Sequence, residues 1–177
     1  MRKAPKNMPA INIPNRYIKL ISNLPEMEVS FGAGGIRLFT CEELEKGQVG
    51  YSVDLNGTSL CGEAKGDWKS SWLVIGSDTG VGDPIFVDTA DPKLTVLSAI
   101  HGEGAWDPKP IAISIEAFGK ILFEFRRIAE DRSNPVESES NPITAAERNT
   151  FLSRVGEINE RKIESEFWNE LFAYVCD

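Results

Sequence analysis

Residues 72–88, WLVIGSDTGVGDPIFVD, contain two apolar runs on either side of a glycine-rich loop. Trp72–Ile75 forms the first run and Ile85–Val87 the second, and short apolar runs bounded by turn residues predict buried strands. The three glycines of this stretch permit positive φ angles without a clash from a Cβ atom. We therefore predict a strand–loop–strand unit with an acidic tip at the centre of the fold.

Apolar runs outside this unit predict further strands. They are Ile36–Phe39, Tyr51–Leu55, Leu94–Ile100 and Ile111–Ile113. Asn56-Gly57 follows the second of these runs and favours a tight hairpin turn.

Helical periodicity appears in two other regions of the first 130 residues. Ser114 can cap a helix whose apolar face recurs at helical spacing up to Ile128, and Arg126 and Arg127 suit its C-terminal end. A short helix fits between Pro14 and Pro25. Thr40 and Glu43 form a potential capping box, which predicts another short helix over Cys41–Lys46.

The C-terminal region contains two apolar sets that cannot share one straight helix. Residues 131–143 resemble a linker in composition, and Thr144 with Glu147 forms a second potential capping box. After it, the set beginning at Phe151 lies about half a turn away from the set that includes Ile163, Phe167 and Val175. Either the helix breaks near residues 159–162, or its two ends pack on different surfaces, and we favour the break.

The charge of the chain is unevenly distributed. The whole sequence carries −8, yet its first 24 residues contain five basic and no acidic side chains. Residues 25–177 therefore hold 14 basic and 27 acidic side chains, a net charge of −13. Such a body repels nucleic acid and anionic lipid and attracts a basic partner if its acids cluster on one face. Scattered acids would instead serve only solubility.

The sequence shows no sign of export. Its N-terminus lacks the apolar core of a signal peptide, and no apolar run is long enough for a membrane span. The three cysteines are widely spaced, which argues against a disulfide framework and against a thiolate metal site. We expect a cytoplasmic protein with reduced thiols, with residues 1–12 as a mobile arm.

Catalytic and cofactor motifs are missing from the sequence. His101 is the only histidine, so one chain cannot assemble a site that needs several imidazoles. The glycines of residues 76–82 lack the Lys-Ser/Thr of a phosphate loop, and no Gly-x-Ser-x-Gly elbow occurs. We expect no metal, no cofactor and no enzymatic activity. A hydrolase using paired carboxylates remains an alternative, because the chain has many acids.

The order of several motifs resembles the SUKH superfamily, in its Smi/Knr branch. The central match is Trp72-Leu-Val-Ile-Gly76 followed by Gly82-Asp-Pro-Ile-Phe-Val-Asp88. Upstream, Gly34-Gly35-Ile36 with Leu38-Phe39 resembles the glycine-rich turn and first strand of the family. Downstream, His101-Gly-x-Gly-x-Trp106 and Ile111–Leu122 resemble its last strand and closing helix. The resemblance covers about residues 13–125.

The resemblance implies both a fold and a role. The implied fold is α+β, a twisted, largely antiparallel sheet flanked by helices, here with an additional helical extension over residues 144–177. Bacterial members of the family are similar to immunity proteins that block a toxin by direct contact, and fungal relatives regulate cell-wall synthesis. We therefore expect a domain over residues 13–130 that neutralises a cognate toxin, with an intracellular regulatory scaffold as the alternative. The oligomeric state stays open between a monomer and a weak homodimer.

Five residues are candidates for contact with the partner. They are Asp78, Asp83, Asp91, Glu103 and Trp106, which we place on neighbouring connections at one edge of the sheet. Asp78 could instead bond local backbone amides, and Asp83 could cap the turn before Pro84. Trp106 could be an exposed anchor or could pack against the sheet.

Overall fold

The computed structural model describes residues 11–32 and 34–172, and within them a six-stranded sheet forms the centre of the fold. The strands are β1 (Glu28–Phe31), β2 (Gly34–Leu38), β3 (Trp72–Asp78), β4 (Pro84–Asp88), β5 (Val96–Ser98) and β6 (Lys109–Ala112). Each strand pairs antiparallel with the next one along the chain. Because helices pack on this sheet, the predicted α+β class is confirmed. Most of the predicted mobile arm, and Val175, lie outside the described residues.

Local capping determines where the two longest helices begin. The helices of the described residues are α1 (Asn15–Ser22), α2 (Leu44–Gly47), α3 (Ile115–Ala129), α4 (Pro135–Ser140), α5 (Ala145–Ile158) and α6 (Glu166–Glu170). The Ser114 hydroxyl accepts a hydrogen bond from the Ala117 amide at the start of α3. Thr144 and Glu147 form a complete capping box at the start of α5. The caps predicted for α3 and α5 are therefore confirmed.

Both faces of β3 and β4 are buried, which explains their continuous apolar runs. One face contributes to the main core, which it shares with α1, α3, α5 and α6 through Leu73, Ile75, Ile85 and Val87. The opposite face forms a second cluster of Trp68, Trp72, Val74, Phe86 and Ala99. Residues 39–71 cover this second face, because they supply the fully buried Trp68 and the partly buried Tyr51.

A side chain replaces a strand beside β3. Pairing between β2 and β3 ends at Leu38 and Gly76, and β3 has an irregularity between Val74 and Gly76. The amide of Gln48, which is 3% exposed, donates to the Val74 carbonyl at 2.9 Å and accepts from the Val74 N–H at 3.0 Å. Gln48 thereby satisfies two buried backbone groups that no strand reaches.

Two predicted elements near residue 50 differ in the structure. Residues 51–55 form turns with an isolated bridge at Val53, because the Asp54 carboxylate accepts from the amides of Asn56 and Thr58. Short polar side chains that bond nearby amides compete with regular secondary structure. The predicted helix over residues 41–46 is reduced to α2, which begins at Leu44 without a side-chain cap. Of the capping box predicted for Thr40, only the bond from the Thr40 amide to the Glu43 carboxylate, at 3.0 Å, is present.

The segment that resembles a linker in composition is ordered. Residues 135–140 form α4, capped by the Asn134 side chain. Arg132 is buried and donates to the carbonyls of Ile128 and Asn141, both at 2.8 Å, and to the Glu147 carboxylate at 2.8 Å. Composition indicated a linker because the segment is polar, whereas its polar groups bond to each other and to α3 and α5.

We expect the free energy of unfolding to depend on pH through Glu147. Hydrogen bonds from the Thr144 amide and hydroxyl, and then from Arg132, lower the pKa of Glu147 from 4.5 to about 2. A carboxylate whose pKa is lower in the folded state than in the unfolded state stabilises the fold at pH values above the unfolded-state pKa. This contribution is lost as the pH falls from about 4.5 to about 2. The stability difference between the parent and Glu147→Gln, measured by urea unfolding, should therefore shrink over this pH range.

Glu139→Gln is the control for this measurement, because Glu139 is exposed on α4. Its difference from the parent should stay near zero at every pH. The side chain of Glu147 is 39% exposed, so solvent screening limits the size of the effect. A difference between parent and Glu147→Gln that is constant with pH would contradict the assignment.

The C-terminal helical region breaks where the two apolar sets predicted it. Helix α5 ends at Ile158, and Glu160 and Arg161 follow with positive φ angles of 53° and 55°. The chain then turns so that α6 packs Trp168 into the same core as Phe151. The break therefore lets both apolar sets bury against one surface, which confirms the favoured alternative.

Candidate functional site

The antiparallel topology brings two loops together at one end of the sheet. Residues 79–83 connect β3 to β4, and residues 99–108 connect β5 to β6. In a sheet of sequential antiparallel strands, alternate connections lie at the same end. We call the end with these two loops the upper end.

The Asp78 carboxylate binds the backbone of its own loop. Its side chain is buried at 5% exposure, and its carboxylate accepts from the backbone amides of Gly80, Val81, Gly82 and Asp83 at 2.6–3.3 Å. The structure thus shows the second of the two roles that the sequence left open for Asp78. A partner cannot reach this carboxylate without disrupting the loop.

Asp83 joins the two loops of the upper end. Its Oδ1 atom accepts from the backbone N–H of His101 at 2.8 Å and lies 2.6 Å from Nδ1 of the same residue. The sequence suggested a cap for the turn before Pro84, whereas the bonds reach across to the neighbouring loop. The side chain of Asp83 is 16% exposed, so the pair holds the loops together and still borders solvent.

Asp91 lies at the opposite end of the sheet, which corrects its expected position. It belongs to the connection between β4 and β5, and this connection alternates with those of the upper end. Its carboxylate accepts from the Lys93 amide and from the amide and hydroxyl of Thr95. Hydrogen bonding from Thr95, then from Lys93, lowers the pKa of Asp91. These bonds close a turn, and β5 therefore begins later than the predicted strand.

Glu103 and Trp106 lie on the upper loop that also carries His101. Glu103 is exposed between two glycines of positive φ. Trp106 is partly buried, since its ring contacts Trp68 and Tyr51 with centroids 5.1 and 5.5 Å apart. Trp106 therefore packs on the second cluster and keeps one part exposed, while its role as an anchor for a partner stays a prediction.

A groove of about 300 Å³ runs beside the upper end, between the β5–β6 edge and α6. Its apolar lining comprises Ala99, Ile100, Pro110, Ile111, Ile163 and Phe167. Its acidic lining comprises Asp83, Asp107, Glu164, Glu166 and Glu170. Two lysines, Lys109 and Lys162, also border it. We call this feature the acidic groove.

The acidic groove combines negative charge with exposed apolar surface. Five carboxylates against two lysines give its lining a net charge of −3. A hydrogen bond from Lys109, at 2.9 Å, lowers the pKa of Asp107, which is therefore ionised at neutral pH. Ile100 is 64% exposed at the same place. An apolar centre with a charged rim is the usual composition of a protein interface.

The outer edge of β6 is closed to an added strand at the position of the groove. The indole N–H of Trp168 donates to the Ile111 carbonyl at 2.9 Å. The Asn159 side chain donates to the same carbonyl at 3.3 Å and accepts from the Ile113 amide at 3.1 Å. A partner strand therefore cannot pair with the Ile111 carbonyl or the Ile113 amide unless it displaces these side chains.

Sequence reasoning missed the acidic groove as a unit. It identified Asp83 but not Asp107, and it did not consider the three glutamates of residues 164–170. The signal for them was the alternation of these glutamates with Ile163 and Phe167, a pattern of charged and apolar residues on a short segment. Their proximity to Asp83 depends on the fold.

Comparisons with protein-family models, curated proteins and solved structures find no match for this chain. The geometry of the site is therefore what characterises it. Among residues 11–32 and 34–172, no group of three or more His, Cys, Asp or Glu side chains is placed to hold a metal ion. In the same part of the chain, no helix has the length and apolarity to cross a membrane.

Proposed function

We propose that this protein is a non-catalytic, cytoplasmic immunity protein that binds a basic surface of a cognate toxin and blocks it. The acidic groove is the observation that carries the proposal. It places five carboxylates around exposed apolar surface, so it suits a partner that offers Lys or Arg side chains around an apolar or aromatic residue. A nuclease toxin is one such partner, because it needs a basic surface to hold its substrate.

The charge of the groove also discriminates between classes of partner. Phosphate groups of nucleic acid and anionic lipid headgroups would be repelled by the groove's net charge of −3. A basic protein would be attracted over distances of about 8 Å at physiological ionic strength. Association with the toxin should therefore slow as salt is added, while association through apolar surface alone would change little.

The proposal predicts a toxin gene beside this protein's gene, and co-expression with that toxin tests the function directly. The toxin's C-terminal domain is produced in a sensitive host with or without this protein, and survival is scored. We expect survival only when the protein is present and a complex of the two proteins when they are purified together. A regulatory scaffold, the alternative role, would bind a different protein and would leave the cells unprotected.

Reversing three charges of the groove should abolish this protection. The variant Glu164→Lys, Glu166→Lys, Glu170→Lys is expected to bind the toxin at least a hundred-fold more weakly. The reason is that close charge pairs across interfaces couple by about 1.5 kcal/mol or more each, and reversal replaces attraction by repulsion. Affinity is measured by titration calorimetry, and folding is checked by thermal melts.

The matched control is Glu42→Lys, Glu45→Lys, Glu139→Lys. These three glutamates are exposed and lie outside the groove, and the control changes the net charge by the same amount. It should retain affinity within a few-fold of the parent. Equal losses in the two variants would assign the effect to net charge, and unchanged affinity in the groove variant would contradict the proposed surface.

A further inference from the structure

A second groove lies on the helical side of the molecule, away from the acidic groove. It has a volume of about 680 Å³ and runs along α3, with α1 on one side and the end of α5 on the other. Its apolar lining includes Leu20, Leu24, Ile115, Leu122, Phe123 and Ile158. Phe123 is 63% exposed, which is unusual for a phenylalanine in the middle of a helix that packs on a core. We call this feature the helical groove.

The rim of the helical groove is basic, although the protein as a whole is acidic. Its cations are Arg16, Lys19, Lys120, Arg126 and Arg154, and its acids are Glu116 and Glu124. The lining carries +3, or +1 when Glu26 and Glu157, which pair with Arg126 and Arg154, are included, on a chain of net charge −8. A local charge opposite in sign to that of the whole protein selects for an anionic ligand.

Several of these cations keep donors available for a ligand. Lys19 and Lys120 take part in none of the ion pairs between described residues. Arg126 pairs with Glu26 through Nη2 at 3.2 Å, while its Nη1 atom is buried without a hydrogen-bond partner. The Arg126 side chain as a whole is 35% exposed, and a ligand's carboxylate can approach it from that side.

The shape of the groove indicates what kind of anion it accepts. The α3 residues that line it recur three or four apart from Ile115 to Arg126, over a length of about 16 Å at 1.5 Å per residue. Rows of side chains at this spacing form the ridges and grooves between which another helix packs. The cations also lie along the whole length, from Arg16 beside the start of α3 to Arg126 near its end. A fatty acid, with one carboxylate, would use only one of them.

We propose that the helical groove binds an amphipathic helix of a partner protein, with apolar residues three or four apart and acidic residues on both flanks. The apolar stripe of that helix covers Phe123 and Leu24, and its carboxylates bind Lys19, Lys120 and Arg126. This surface is separate from the acidic groove, so the protein can hold an acidic and a basic partner at the same time.

Fluorescence anisotropy with a labelled synthetic peptide tests the proposal on the full chain. The probe is an acidic helix of about 14 residues, or four turns, with a leucine stripe and Asp or Glu on its flanks. We expect saturable binding of this peptide. Scrambling its leucines, or replacing its acids by lysine, should weaken binding at least ten-fold.

Variants of the protein locate the binding. The variant Phe123→Glu, Lys120→Glu should bind the acidic peptide at least ten-fold more weakly, because it removes apolar contact and reverses a charge. Val136→Glu with Lys46→Glu is the control, since Val136 is 75% exposed elsewhere and the change in net charge is the same. Equal binding of the scrambled peptide, or full binding by the Phe123 and Lys120 variant, would overturn the proposal. The proposal would also be overturned if dodecanoate, which carries a single carboxylate, bound more tightly than the acidic peptide and required Lys120.

Discussion

Trp168→Ala is expected to lower the free energy of unfolding by about 3–5 kcal/mol, the usual cost of removing a buried tryptophan. Trp168 is fully buried, and its ring contacts those of Phe118, Phe125, Phe151 and Phe167. The substitution also removes the hydrogen bond to the Ile111 carbonyl at the edge of the sheet. Urea unfolding followed by fluorescence and circular dichroism measures the loss.

Two further variants show how much of this loss comes from burial. Trp168→Phe keeps a six-membered aromatic ring in the core but loses the N–H donor and the pyrrole part of the indole, so it should cost about 1–3 kcal/mol, less than Trp168→Ala. Phe123→Ala removes an exposed ring and should change stability by less than about 1 kcal/mol. A cost below about 1 kcal/mol for Trp168→Ala would contradict the packing of α6 on the core.

Gln48→Met is expected to destabilise the protein by about 3–5 kcal/mol, although methionine has nearly the same shape. The substitution leaves the Val74 N–H and C=O groups without a partner, and each buried unsatisfied group costs about 1–3 kcal/mol. The Leu44 carbonyl, which also accepts from Gln48, loses its bond as well. The measurement is the same urea titration.

Glu45→Met is the matched control for Gln48→Met. Glu45 lies on α2, three residues before Gln48, but is exposed, so its replacement should change stability by about 0.5 kcal/mol or less. Native-state hydrogen exchange adds a local measurement, because the Val74 amide should lose protection in the Gln48 variant before the rest of β3 does. Equal stability of Gln48→Met and Glu45→Met would show that water satisfies Val74 as well as the glutamine does.

These two predictions also bear on the proposed site. Trp168 anchors α6, and α6 carries Glu166 and Glu170 of the acidic groove. Trp168→Phe should therefore retain toxin binding, while Trp168→Ala should weaken it by displacing the glutamates. The C-terminal helices thus contribute to the core and to the proposed interface.

Much of the fold was predictable because its signals are local. The caps of α3 and α5 depend on side chains three residues from the amides they bind, and the buried strands of residues 72–88 appear as apolar runs. The strand predicted over residues 51–55 is wrong because the Asp54 carboxylate closes a turn there. Gln48 could not be recognised as a substitute for a strand, because its partner lies 26 residues away.

The candidate site was predictable only in part. Asp83 was identified because it belongs to a loop next to a recognisable strand, whereas Asp78, Glu103 and Trp106 do not line the acidic groove. Asp91 was misplaced because sequence indicates which residues lie in loops but not at which end of the sheet each loop emerges. Asp107 was missed because it becomes a neighbour of Asp83 only when β5 pairs with β4. The glutamates of residues 164–170 were missed because they reach the groove only after the chain has passed through α3, α4 and α5.

By itself, the amino-acid sequence determined the class of the fold, the start of its main helices and the net negative charge, since periodicity, capping and composition act over a few residues. Only the tertiary structure decided which charges share a surface. It separated an acidic groove from a basic one on a chain whose net charge is negative. The physical reason is that a groove's charge and shape come from side chains distant in sequence, and chain topology and core packing bring those side chains together.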